Sequence, residues 1–138
     1  MTQRLAISLA ATLAVLLAPL TASAKGPFDG SKPLLCAIHD ADECIEDGPC
    51  LDGDADDVRL PAFVRIDVKG KEIMILDDGR EDEVTTIQNV SKSDGALVIQ
   101  GVEGGRGWTY LINAAGETVL TVSGDGVAWA AFGDCTTL

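Results

Sequence analysis

The chain has 138 residues, with 22 acidic against 10 basic side chains and a formal net charge of −12 with its single histidine neutral. So acidic a chain offers no basic face to displace counterions from a phosphate backbone, which excludes a nucleic-acid binder, and anionic membrane surfaces repel it. The length fits one domain, with a real but modest core that staples would help.

Residues 1–24 read as a signal peptide. Arg4 is the only charge ahead of an apolar run over residues 5–20, and Ala22 and Ala24 hold the small-residue positions before a cleavage site. The run is shorter than the roughly 20 apolar residues a membrane-crossing helix needs. A periplasmic or secreted product beginning at Lys25 is expected, free of the membrane and monomeric. Losing Arg4 takes the net charge from −12 to −13.

Residues 25–60 form a cysteine-rich acidic segment of the same domain. With Cys135 near the other end, Cys36, Cys44 and Cys50 make four cysteines, an even number in an exported chain, which reads as two disulfides. Three pairings are open; Cys44–Cys50 with Cys36–Cys135 is the favoured one. The first would close a tight loop through Gly48 and Pro49, contributing roughly 2–2.5 kcal/mol by chain entropy. The second would tie the two ends together, contributing about 4.7 kcal/mol on the same reasoning.

Residues 61–138 carry the strands. Residues 62–69 alternate cleanly, with Val64, Ile66 and Val68 on one face and Arg65, Asp67 and Lys69 on the other. Further strand patterns follow at 72–77, 84–91, 96–103, 108–113, 117–123 and 127–133, separated by Gly- and Asp-rich turns. An eighth strand is available from 34–38 or from the cysteine hairpin. No helix of three turns is suggested after residue 24. The predicted fold is all-β: a small antiparallel meander in a seven- to eight-stranded up-and-down barrel, lipocalin-like in shape and stapled by disulfides, with a β-sandwich as the alternative. Val64, Ile66, Val68, Ile75, Leu97, Ile99, Leu111, Leu120, Val122, Trp129 and Phe132 are the candidate core. Gly101 and Gly133, inside strand patterns, predict bulges or close backbone approach.

The segments "FDGSKPLLCA", "LPAFVRIDV", "LVIQGVEGGRGWTYLI" and "AAFGDCT", with Cys44 and Cys50 between the first two, are together similar to an uncharacterised family of small secreted proteins of Gram-negative bacteria. The resemblance covers nearly all of the chain after residue 24. It implies an exported home and one domain, and brings no activity with it.

The chemistry-bearing candidates are few. Asp52, Asp54 and Asp56 alternate like the first three ligands of a helix-flanked calcium loop. The loop's sixth, eighth and twelfth positions fall on Asp57, Arg59 and Phe63, which cannot do the work of its Gly, apolar residue and bidentate Glu. A looser calcium site remains an alternative to a solvated acidic loop. His39 lies beside Asp40 and Asp42 with no nucleophile in a recognisable setting. Arg106 and Trp108 follow a Gly-rich hairpin turn; they are candidates for an exposed ligand-gripping pair, with Trp108 equally eligible for the core. The reading that results is a non-enzymatic binding protein without a cofactor. It docks a cationic protein through the acidic segment over 40–57; the alternatives are a small-ligand carrier with a barrel cavity and a calcium-stabilised module.

Overall fold

The computed structural model describes residues 27–138, so the expected signal peptide lies outside the described residues. Ten antiparallel strands form one curled sheet: β1 (Leu34–Ile45), β2 (Cys50–Gly53), β3 (Phe63–Asp67), β4 (Glu72–Ile75), β5 (Val84–Thr86), β6 (Asn89–Ser93), β7 (Ala96–Glu103), β8 (Arg106–Ile112), β9 (Glu117–Gly124) and β10 (Val127–Thr137). All are in a single sheet, which sets the sandwich alternative aside.

The neighbour order β5-β4-β3-β1-β10-β9-β8-β7-β6 follows the chain around the curl, with β2 alone off the path. Turns of two to four residues join β3 to β4, β6 to β7, β7 to β8, β8 to β9 and β9 to β10, which is what the Gly- and Asp-rich breaks encode. At the two outermost positions, β5 and β6 are successive pieces of one segment. That segment pairs with β4 up to Thr86, then crosses through Ile87 and Gln88 and pairs with β7. The single strand expected over 84–91 is thus split, with Ile87 turned into the core at the crossing. The expected eighth strand is β1. It is twelve residues long and pairs along its whole length with β10, which runs on to Thr137.

Both favoured disulfides are present. Cys36–Cys135 and Cys44–Cys50 each join residues directly opposite one another in the β1–β10 and β1–β2 ladders. Two structural disulfides fit an oxidising, extracytoplasmic compartment.

Period-two alternation fills the interior with Val64 and Ile66 of β3, Ile73 and Ile75 of β4, Leu97 and Ile99 of β7, Trp108, Tyr110 and Ile112 of β8, and Leu120 of β9. Burying each of the larger aliphatic side chains stabilises by about 1.5–3 kcal/mol. Two candidates for the core are corrected. Leu111 and Phe132 are 42% and 41% exposed, because Tyr110 and Ile112, and Ala131 and Gly133, take the inward positions on either side of them. Val68 is only half-buried at the strand end. Leu111, Val119 and Phe132 are opposite one another on β8, β9 and β10, so they form an apolar row on the outer face.

Gly101 and Gly133 meet the expectation of close approach. A Cβ at Gly133 would overlap the Ala37 carbonyl, and β1 shifts register between Ile38 and Asp40 opposite it. A Cβ at Gly101 would overlap the indole of Trp108. One end of the curl is stoppered by Phe28, which packs on the core beneath the β8–β9 turn; a Cβ at Gly116 would lie 2.5 Å from its Cζ.

Candidate functional site

The other end is open. There the β4–β5 and β7–β8 turns meet the connection from β2 to β3 around a cavity of about 470 Å³. Its floor is apolar, built from the inward residues Val64, Ile73, Ile75, Tyr110 and Leu120. Burial pushes the Tyr110 phenol well above its ordinary value, with the charge of Asp77 adding to the shift, so it stays protonated. Trp108 stands in the wall, 8% exposed, with its ring edge-on to Tyr110 at 6.3 Å. Its indole Nε1–H is the one buried side-chain polar atom without a partner among the described residues. Buried donors are nearly always bonded, and one that is not costs about 1–3 kcal/mol.

Three arginines rim this cavity: Arg59, Arg80 and Arg106. They are three of the four arginines among the described residues. Arg80 is engaged. Its Nε and Nη2 donate to Glu83 at 3.1 and 3.0 Å, and this pairing holds the Glu83 carboxyl below its ordinary value. Arg106 places its guanidinium carbon 4.9 Å from the centroid of the Trp129 ring and its Nε 3.5 Å from Asp125.

Arg59 is different. Its backbone has φ +60°, a left-handed conformation that bulky side chains rarely adopt, and its side chain has no ion-pair partner among the described residues. The backbone around it is pinned. Arg59 N donates to Asp56 O and Leu60 N to Ala55 O, while the Asp77 carboxylate accepts from Ala62 N and Phe63 N at 3.0 and 2.9 Å. Arg59 and Arg106 also line a second cavity of about 350 Å³, which adjoins the first and reaches Glu43 and Trp129.

The sequence candidates fare unevenly. Arg106 and Trp108 do line one cavity, but not as an exposed pair: Trp108 is buried and the aromatic partner of Arg106 is Trp129. Asp52, Asp54 and Asp56 are exposed, and among the described residues no three His, Cys, Asp or Glu side chains are grouped to hold a metal ion. Asp54 and Asp57 instead bond each other's backbone N–H, at 3.0 and 3.2 Å, closing a turn. His39 is on the outer surface between Asp40 and Asp134, at 2.9 and 3.3 Å. Arg59, Arg80, Tyr110 and Trp129 were not among the site candidates. Arg59 and Arg80 come from two connections and Arg106 from the start of β8, far apart in the chain, and only the curl brings them together.

No family model, no curated protein and no solved structure matches the chain. The chemistry of the open end therefore carries the functional reading.

Proposed function

We propose that the protein is a non-enzymatic small-ligand carrier of the periplasm or the secreted medium, exported by a cleaved signal peptide over residues 1–24. The observation that carries this reading is the cavity of about 470 Å³ that the interior side chains leave open at one end. Its volume is within the range of small-molecule sites, about 300–1,000 Å³, and its apolar floor with a few polar groups at the rim is the usual composition of such sites. The cavity ranks this reading above the docking of a cationic protein. Non-enzymatic behaviour is part of the proposal: all four cysteines are in disulfides, and His39 is engaged by two carboxylates away from the cavity.

A neutral apolar dye whose emission rises out of water tests the proposal. One saturable site is expected, with a change in tryptophan emission, since Trp108 and Trp129 both stand at the open end. Leu120→Trp, which fills the floor, should abolish uptake while leaving the unfolding transition cooperative. Absence of saturable uptake by the unaltered protein, of this dye and of other apolar-tailed probes alike, would remove the carrier reading.

A second reading has its own observation. β2 is off the main path of strands, and the hairpin it makes with the end of β1 holds Glu46, Asp47 and Asp52 exposed, with Asp54, Asp56 and Asp57 just beyond it. It is placed to dock a cationic protein by electrostatic complementarity. Capture of such a protein should weaken with added salt and on neutralising Asp52, Asp54, Asp56 and Asp57 to Asn; capture indifferent to both rules it out.

A further inference from the structure

We infer that the ligand is an amphipathic carboxylate, with its apolar body on the cavity floor and its head group at Arg59 and Arg106; this rests on the carrier reading above. Acidic side chains outnumber basic ones 22 to 10 in this chain, yet Arg59 has no carboxylate partner among the described residues. It is held at the open end by a strained, left-handed backbone that the surrounding hydrogen bonds over-determine. Strain of this kind concentrates at functional sites.

The carboxylates around the opening already have donors. Glu83 takes Arg80, Glu103 accepts from Thr85 Oγ1 at 2.6 Å, Glu43 from Trp129 Nε1 at 2.7 Å, and Asp57 from the backbone of Asp54. Asp125 meets only the Nε of Arg106, which leaves that arginine's terminal nitrogens for another acceptor. The unmatched groups are therefore donors: the Arg59 fork and the Arg106 terminal nitrogens. A carboxylate is an acceptor only, and its two oxygens match a guanidinium fork. Size agrees. Taking about 30 Å³ as one water's share of the liquid, the cavity holds on the order of fifteen such groups, which suits a chain of roughly ten carbons with its head group.

The test is calorimetric titration of the exported protein at neutral pH with three probes of one chain length: decanoate, decanol and decyltrimethylammonium. Decanoate should bind at least about ten-fold more tightly than decanol, and the cation most weakly. Arg59→Gln should lose about ten-fold for decanoate and leave decanol unchanged, and Arg59→Lys should recover part of the loss. Decanol binding as tightly as decanoate, or the cation binding best, overturns the inference while the carrier reading stands. An equal loss for decanoate and decanol in Arg59→Gln overturns it too, because Arg59 then acts through the shape of the opening. Binding of none of the three, together with failure of the neutral dye, removes the carrier reading itself.

Discussion

The indole N–H of Trp129 donates to the Glu43 carboxylate at 2.7 Å, joining residues directly opposite each other on β10 and β1 but 86 positions apart in the chain. Both side chains point inward at the open end, so the bond is shielded and charge-assisted. Glu43→Ala strands a mostly buried donor and should lower stability by about 1.5–3 kcal/mol. Glu43→Gln keeps an acceptor and should cost less. Urea unfolding followed by tryptophan emission measures both, and an alanine variant within about 0.5 kcal/mol of the parent would contradict the account.

Two glycines should respond in opposite ways to the same change. At Gly133 a methyl group would overlap the Ala37 carbonyl of β1, which is backbone and cannot rotate away. Gly133→Ala should cost more than about 3 kcal/mol or prevent folding. At Gly107 an added Cβ meets nothing within 4 Å and the backbone is not left-handed. Gly107→Ala should be within about 0.5 kcal/mol of the parent. Equal effects in thermal melts would mean that the β1–β10 packing is not as described.

The two disulfides should differ in weight. Cys36–Cys135 spans 99 positions and Cys44–Cys50 spans six. Replacing the first pair by serine should cost about 4–5 kcal/mol, and the second roughly 2–2.5 kcal/mol, if the loss is mainly loop-closure entropy. The hairpin variant should still melt cooperatively, with a smaller shift in midpoint than the variant of the long-range pair.

His39 gives a pH signature with a definite sign. A hydrogen bond donated to the Asp40 carboxylate raises its pKa above 6.5, slight burial opposes this, and Asp134 adds a second raising contact. A raised folded value means the imidazolium favours the folded state. That contribution is fully present below about pH 6.5 and is lost as pH rises through the folded value. As the sole histidine, its ring protons titrate without overlap in an NMR series. Asp40→Asn should lower the midpoint; an unchanged midpoint would deny Asp40 its leading part.

Calcium should do nothing to stability. With Asp54 and Asp57 spent on each other's backbone and no grouped ligand set among the described residues, melting midpoints in millimolar calcium and in chelator should coincide. A rise of several degrees in calcium would restore the loose site first considered at Asp52, Asp54 and Asp56.

Much of the fold was legible because strand period and turn chemistry are local. The segment 96–103 became β7 residue for residue, and the meander followed from turns too short for crossovers. Facing was harder to read in 108–112 and 127–135, where apolar residues occupy both faces. Leu111 and Phe132 were therefore placed inward when Tyr110, Ile112, Ala131 and Gly133 hold that side. Cys135 carries the missing parity, since its buried partnership with Cys36 sets Gly133, Ala131 and Trp129 inward with it. The open end was not legible at all. Arg59 and Arg80 come from separate connections and Arg106 from the start of β8, and no local pattern marks a residue as unpaired.

The crossing at Ile87 and Gln88 gives one short segment two partners in succession, β4 and then β7. Its consequence is a lock on alignment. In most sheets a pair of strands can slip by a residue at the expense of its own ladder alone, and every side chain on the slipped strand changes face. Here a slip between β4 and β5 would drag β6 along β7 by the same step, turning Ile87 outward and misplacing Val90 against Ile99 as well. Two ladders must fail for either to shift, so the order of strands around the molecule and the facing of its interior are fixed by the same few peptide bonds.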